Sequence, residues 1–189
     1  EQCMCHTKAL MMMLGWATAG EPLTTEKLLA CHAQLMSGSV NATGAAFESR
    51  FRFEYESVHA ASFVFPTGIN HEKNMADILK IINSEFATSH PAVWSSKLLL
   101  GVLSAHPFLN GNGRMARLCF AYGLVRYGVP CAVVFSDWHS KDHVHYIDAV
   151  TAALGQKRED GLKKLHSMAT VGLFATLQNM VFTCDTSQK

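Results

Sequence analysis

The chain has 189 residues, a formal net charge of +1, and 49% hydrophobic against 16% charged residues. We expect residues 1–189 to form a single domain, since this length suffices for one sizeable core. The near-neutral charge gives no support to a protein that binds nucleic acid or an anionic membrane surface, and no apolar run is long enough to span a membrane.

Apolar residues recur at helical spacing along most of the chain, so most of the predicted elements are helices. The residues 9–16 form the most apolar stretch, which is short and indicates a buried helix rather than a lipid-binding segment. In chain order the predicted helices cover 4–18, 24–36, 71–86, 91–105, 112–127, 140–154 and 159–181.

One segment departs from helical spacing. Phe51, Phe53 and Tyr55 alternate with charged residues, and the β-formers of 62–65 end at Pro66. This pattern predicts a β-hairpin over 50–65, which as a surface element would seal the core. The expected fold class is therefore all-α, a mainly helical bundle with one β-hairpin.

The most informative segment is 106–117, which reads His-Pro-Phe-Leu-Asn-Gly-Asn-Gly-Arg-Met-Ala-Arg. Pro107 disfavours helix at His106, so the preceding helix should end there. Gly111 and Gly113 permit close approach of a ligand to the main chain. A helix that begins near Asn112 would direct its unpaired N–H groups and positive dipole end toward this loop, which is an arrangement for binding anions.

Two arginines and a histidine add chemistry to that helix start. Arg114 and Arg117, at i and i+3, point the same way and carry forked donors suited to phosphate oxygens. His106, with an ordinary pKa of about 6.5, is largely neutral at pH 7 and can accept a proton. Each feature alone is typical of a helix end, a glycine turn or a solvated face, but their unbroken run favours a polyphosphate site beside a general base.

The same segment resembles the signature of the Fic family, H-x-F-x-(D/E)-G-N-(G/K)-R-x-x-R. Asn110 is the single departure, at the position where the family has Asp or Glu. The similarity extends from about residue 8 to about residue 177, and it includes His32 and Leu35 of the family's L-H-x-x-L pattern. The signature residues that match are His106, Phe108, Gly111, Asn112, Gly113, Arg114 and Arg117.

The resemblance implies a protein adenylyltransferase, an enzyme that moves AMP from ATP to a Ser, Thr or Tyr hydroxyl of a target protein. By this carry-over His106 is the general base, and Asn112 with the backbone of Gly111 and Gly113 holds the α-phosphate. Arg114 would bind the β- and γ-phosphates and orient the leaving group, and Arg117 would assist at the γ-phosphate. The catalytic set implied is thus His106, Asn112 and Arg114.

Metal and base recognition are also implied by the resemblance. Asn110 occupies the position that ligates Mg²⁺ (or Mn²⁺), where an amide oxygen brings no negative charge. Gly113 in place of Lys favours AMP transferases over Doc-type kinases. Tyr146 lies where an aromatic residue packs near the nucleotide base. Ala153 stands where many relatives have an adenine-reading Asn, so the preference for ATP should be loose.

Two alternatives remain open at this level. One is a transferase of the same fold that uses another donor, such as a UMP, phosphocholine or phosphate donor. The other is a catalytically weak nucleotide-binding scaffold, which the neutral side chain of Asn110 makes plausible.

The resemblance also implies partners. In the family, the hairpin at 50–65 corresponds to the flap that binds a target protein by strand pairing. No Ser or Thr stands four residues before any Glu, so the family's inhibitory pattern (S/T)-x-x-x-E-(G/N) is missing from these residues. Three explanations are open: the inhibitory helix lies outside these residues, a separate inhibitor protein supplies it, or the protein is not regulated in this way. The six cysteines include no C-x-x-C and weakly favour a reducing compartment. The cytoplasm is therefore the expected location, with the secretory lumen and delivery into a host cell as alternatives.

Overall fold

A computed structural model of the chain describes residues 2–40, 44–60, 63–65, 67–129, 141–155, 157, 159–168 and 170–171. The fold is mainly helical with one small antiparallel hairpin, as the sequence predicts. Its helices are α1 (Gln2–Thr18), α2 (Thr25–Met36), α3 (His71–Ser84), α4 (Pro91–Ala105), α5 (Asn112–Arg126) and α6 (Lys141–Leu154).

Local signals explain most of these helix boundaries. Thr24 and Asn70 are the N-cap residues of α2 and α3, and each side chain accepts a backbone N–H of the first turn. Pro91 begins α4, where its missing N–H costs nothing. A further helical segment covers 159–168, whereas residues 172–181 of the predicted last helix lie outside the described residues.

The core lies between α4 and α5, with α1 and α2 packed beside α5. Gly123 permits this close approach, because a Cβ there would lie 2.5 Å from the Oγ atom of Ser95 on α4. The apolar helix α1 is only partly buried: Met13 is fully buried, but Met4 and Met11 are each 64% exposed. None of the helices in the described part of the chain is long and apolar enough to cross a membrane.

The hairpin is shorter than predicted. Strand β1 (Val58–Ala60) pairs antiparallel with β2 (Phe63–Phe65), and Val58 faces Phe65 across the ladder. The prediction of a hairpin is right, but its start at residue 50 is wrong.

Residues 50–56 form a closed loop instead of a strand. The Glu56 carboxylate binds the Arg50 guanidinium at 2.6 Å and accepts the N–H of Phe53 at 2.6 Å, so this N–H group is not available to a neighbouring strand. The alternating aromatic residues consequently do not share one face. Phe51 is 8% exposed, whereas Phe53 and Tyr55 are 48% and 78% exposed.

Candidate functional site

The signature segment forms the turn between α4 and α5. Helix α4 ends as predicted, and His106, its C-cap, adopts a left-handed conformation with φ 42° and ψ 55°. It is the one non-glycine residue with positive φ in the described part of the chain. This conformation costs about 1–2 kcal/mol for an L-residue with a Cβ, so the surroundings must hold it in place.

The imidazole of His106 is enclosed and oriented. It stacks on Phe65 of β2 with ring centroids 3.8 Å apart, and the residue is only 8% exposed. Its Nδ1 atom is buried and has no hydrogen-bond partner among the described residues, although the Leu103 carbonyl acts on it electrostatically. The nitrogen that a substrate could reach is therefore Nε2.

Burial lowers the pKa of His106 to about 4, and the nearby Arg52 and His71 act in the same direction, while the Leu103 carbonyl opposes them. The ring is consequently neutral at pH 7 and able to accept a proton.

The start of α5 offers unpaired backbone donors. Gly111 is its N-cap at φ 80°, and no side chain of the described residues caps the first turn. The first intrahelical bond runs from the N–H of Met115 to the Gly111 carbonyl at 2.9 Å. The N–H groups of Asn112, Gly113 and Arg114 precede that bond, so an anion could bind them.

Gly111 itself is required by space as well as by conformation. A Cβ at this position would lie 3.1 Å from the Met36 sulfur and 3.4 Å from Nε2 of His32, both on α2. Gly113 has no such constraint, since its nearest neighbour would be Arg117 at 3.6 Å.

The side chain of Asn112 shapes the turn. Its amide oxygen accepts the N–H of Phe108 at 3.0 Å, and its amide nitrogen donates to the Phe108 carbonyl at 2.7 Å. Asn112 is 3% exposed. Its clearest contribution is therefore to hold the loop in the conformation that leaves the helix start open.

His32 is a site residue to which the sequence analysis gave no role. It stacks on Phe108 with ring centroids 3.9 Å apart. Its Nε2 lies 3.0 Å from the Asn110 carbonyl, which can only accept, so this nitrogen is the donor. On its other side, Nδ1 lies 2.9 Å from the Ser49 hydroxyl. In the sequence, His32 is marked only by the L-H-x-x-L pattern, and this pattern does not indicate that the residue binds the Asn110 carbonyl.

Arg114 and Arg117 lie half-buried on the same side of α5 and none of the ion pairs among the described residues uses either of them. One Arg114 nitrogen lies 3.3 Å from the Met36 sulfur, which is a weak acceptor. His6 of α1 lies close enough for both arginines to lower its pKa, although burial is the larger cause. The two guanidinium groups therefore keep donors for an incoming anion.

Tyr146 of α6 is 3% exposed and lies beside Arg117. Burial raises the pKa of its hydroxyl, and Arg117 opposes that shift. The structure thus brings Tyr146 to the arginine side of the site.

Ala153, further along α6, is 5% exposed and packs against Gly161, where a Cβ would lie 2.1 Å from the Ala153 nitrogen. It contributes a buried helix contact.

Asn110 provides little for a metal ion. Its side-chain oxygen accepts the N–H of Gly111 at 2.7 Å, and no group of three His, Cys, Asp or Glu side chains in the described ranges could hold a metal. One neutral oxygen that is already hydrogen-bonded does not make a metal site by itself. Among the described residues, this site therefore offers no complete protein ligand set for a cation.

Comparisons with known proteins agree with this geometry. A sequence model described as the Fic/DOC family matches residues 22–124, more than half of the chain. A Fido domain-containing protein of Dictyostelium discoideum is 33% identical over 103 residues, which are 53% of this chain and 69% of the relative.

Two solved structures share the fold. A Fic domain containing signaling protein from Bacteroides thetaiotaomicron superimposes with a TM-score of 0.69 at 23% identity, over 92% of this chain and 70% of that one. IbpAFic2 covalently tethered to Cdc42 superimposes with a TM-score of 0.60 at 19% identity, over 87% of this chain and 55% of that one. With the matched family model and the signature geometry, these likenesses lead to one conclusion: the chain belongs to the Fic/DOC family, whose members are typically transferases.

Proposed function

We propose that this protein is an adenylyltransferase that moves AMP from ATP to a Ser, Thr or Tyr hydroxyl of a target protein. The observation that carries the proposal is the placement of a neutral, buried His106 one short turn before the uncapped start of α5. A proton acceptor and an anion-binding helix start in this order suit the attack of a hydroxyl on a phosphate.

In the proposed reaction, Nε2 of His106 takes the proton of the target hydroxyl as its oxygen attacks the α-phosphorus of ATP. A new P–O bond to the target forms while the bond from the α-phosphorus to the bridging oxygen breaks. Pyrophosphate leaves with the electron pair of that broken bond. The products are AMP joined to the target side chain and pyrophosphate.

The first-turn N–H groups of α5 would bind the α-phosphate, since they precede the first intrahelical bond and no side chain in the described ranges caps them. Arg114 and Arg117 would neutralise the charge on the β- and γ-phosphates, because neither is engaged by a carboxylate among the described residues. Asn112 would keep the turn open through its two bonds to Phe108. Tyr146 would pack beside Arg117 at the edge of the nucleotide site.

A divalent cation, Mg²⁺ or Mn²⁺, would accompany the nucleotide and offset phosphate charge. Asn110 is the side chain proposed to reach it. Since the residue supplies one neutral oxygen, the ion would depend mainly on the phosphates of ATP for its binding.

A target protein would reach His106 past the hairpin, because Phe65 of β2 stacks on the imidazole ring. We expect the target segment to pair with an edge of the hairpin as an added strand. The covalent tether between IbpAFic2 and Cdc42 supports a protein as the acceptor. A separate inhibitor protein and a cytoplasmic location are parts of the same proposal.

Labelling of a cell lysate tests the proposal. The purified chain is incubated with ATP labelled at the α-phosphate or, separately, at the γ-phosphate, and label on protein is measured with His106→Ala as the control. Transfer of α-label by the wild-type chain alone supports adenylyl transfer. Transfer of γ-label would instead indicate a kinase. If neither label appears on protein, the proposal is contradicted.

A transferase with another donor is the second candidate, and the burial of Ala153 favours it. This residue packs against the 159–168 segment and offers no side-chain group to read adenine. Comparable transfer from α-labelled ATP, UTP, GTP and CTP would show a loose donor preference, whereas label from CDP-choline would show a different group. Strict use of ATP would mean that some other group reads the base.

A further inference from the structure

A buried arginine lies directly behind the candidate base. Arg52 precedes the hairpin in sequence and is only 3% exposed. Its Nε atom donates to the carbonyl of His106 at 2.8 Å, and its backbone N–H donates to the carbonyl of Pro107 at 2.8 Å. Arg52 therefore binds two consecutive carbonyl groups of the signature turn.

These two bonds act where the turn is strained. The left-handed conformation of His106 persists only if its neighbours restrain it. A donor on the His106 carbonyl fixes the orientation of the peptide unit that follows, and with it ψ of this residue. The direction of the imidazole, which depends on the same backbone, is restrained as a consequence.

No direct ion pair within the described part of the chain neutralises the charge of Arg52. Its Nη1 donates to the backbone carbonyl of Glu56 at 2.6 Å, while the Glu56 carboxylate binds Arg50 at 2.6 and 2.7 Å. The remaining nitrogen, Nη2, is buried without a partner among the described residues. A positive charge is thus held beside His106, and Glu56 compensates it only through space.

A second buried polar residue, His71, lies near the ring of His106. His71, the first residue of α3, is 2% exposed, and neither of its ring nitrogens has a hydrogen-bond partner among the described residues. Burial and the charge of Arg52 lower the pKa of His71, whereas the Ala105 carbonyl and the carboxylates of Glu56 and Glu54 raise it. Among the described residues, Arg52 and His71 are the titratable or charged groups that act on the ring of His106.

We propose that Arg52 is a positioning residue for His106: its guanidinium fixes the His106 carbonyl and so aims the imidazole, and its positive charge lies beside the ring. The inference rests on the proposed function in one respect, since it takes His106 as the base of the transfer. Its structural part, the control of the ring by Arg52, stands apart from the identity of the donor.

Two variants separate the geometric from the electrostatic effect. Arg52→Lys keeps the charge but loses the forked group, and Arg52→Met loses both. Arg50→Gln is the matched control, because Arg50 closes the same 50–56 loop through Glu56 and contacts neither His106 nor Pro107 in the structure. A loss caused only by loosening of the loop would be shared by Arg50→Gln.

In transfer assays we expect both Arg52 variants to lower kcat by up to about 10²-fold, the order observed when a catalytic group is misaligned. The KM for ATP should stay within about twofold, since Arg52 does not touch the phosphate-binding side of the turn, and Arg50→Gln should resemble the wild type. Equal losses in Arg50→Gln and Arg52→Lys would overturn the proposal.

Titration of the His106 ring by NMR supplies a readout independent of activity. The resonance is assigned with His106→Gln, and the ring should titrate near pH 4 in the wild-type chain. We expect Arg52→Met to raise that value, because a positive charge near the ring is lost, while Arg52→Lys and Arg50→Gln leave it close to that of the wild-type chain. An unmoved titration in Arg52→Met would contradict the electrostatic part.

The experiments distinguish failure of the proposed transferase function from failure of the role proposed for Arg52. If the wild-type chain transfers no label from any donor, the proposed function fails, yet the NMR titration still decides whether Arg52 controls the ring. If Arg52→Met does not fold, as judged by circular dichroism, Arg52→Lys carries the test: a lowered kcat with an unchanged titration supports positioning, and wild-type kcat refutes it.

Discussion

At the scale of single residues, the candidate base combines strain, burial and access. His106 occupies a left-handed conformation, stacks on Phe65 and buries Nδ1, which leaves Nε2 for a substrate. Its lowered pKa makes it a weak base that is nevertheless unprotonated at any pH near neutrality. A base of this kind depends on accurate placement more than on basicity.

Replacement of His106 by alanine should therefore abolish transfer without abolishing nucleotide binding. The base acts on the attacking hydroxyl, whereas the nucleotide is bound by α5 and its arginines. We expect label transfer to fall by roughly 10²–10⁴-fold, the usual contribution of general-base catalysis. ATP affinity measured by calorimetry should stay near the wild-type value. Wild-type labelling by this variant would show that His106 is not the base.

Asn110 offers a second single-residue test. Its neutral oxygen already accepts the Gly111 N–H, so a metal ion gains little from it. We expect transfer by the wild-type chain to require Mg²⁺ or Mn²⁺ and to saturate only at high metal concentration. Asn110→Asp should lower the metal concentration needed and raise the rate, because a carboxylate adds a full negative charge. Metal titrations that coincide for the two proteins would show that position 110 is not a ligand.

At the scale of elements, the site is built where three segments meet the turn between α4 and α5. Helix α2 contributes His32, which stacks on Phe108 and binds the Asn110 carbonyl. The 50–56 loop contributes Arg52, and β2 contributes Phe65. The turn is thus held from outside, while the start of α5 remains uncapped.

The nucleotide should be bound mainly by this helix start and its first arginine. Arg114→Ala removes a forked donor that no carboxylate engages in the described part of the chain. Loss of hydrogen bonds to a charged group costs roughly 1.5–3 kcal/mol, which corresponds to about 10- to 150-fold weaker ATP binding. Calorimetry measures this directly, with Arg114→Lys as a variant that keeps charge. Unchanged ATP affinity in Arg114→Ala would refute the assignment.

At the scale of the whole molecule, several histidines are buried in the neutral form. Burial is the main cause that lowers the pKa of His32, His71 and His106. An unfolded chain binds protons at these groups near pH 6.5, whereas the folded chain binds them only at lower pH. The unfolded state therefore holds more protons in this window, so stability must fall as the pH falls.

We expect the free energy of unfolding to decrease as the pH is lowered from about 6.5 toward 4. For His106, whose pKa is about 4, the contribution lost over this range is on the order of 3 kcal/mol. Urea unfolding at a series of pH values measures the effect, and His106→Gln should show a shallower decline. Equal declines in both proteins would mean that His106 is not buried in the neutral form.

The sequence by itself determined the helices and the location of the site. Helical spacing, the caps Thr24 and Asn70 and the turn at His106–Pro107 act over a few residues, so they can be read locally. The signature is likewise one contiguous run, and its chemistry follows from residue types at fixed spacing. The hairpin was predictable in kind for the same reason.

Only the tertiary structure decided what surrounds the turn. Arg52 and His106 are separated by 54 residues, and His32 and Asn110 by 78, so no local pattern shows that they meet. The 50–56 segment has the alternation of a strand, yet the Glu56 carboxylate folds it back by taking Arg50 and the Phe53 N–H. The low pKa of His106 was likewise not predictable from the sequence. Its burial and its proximity to Arg52 come about only when distant segments pack together.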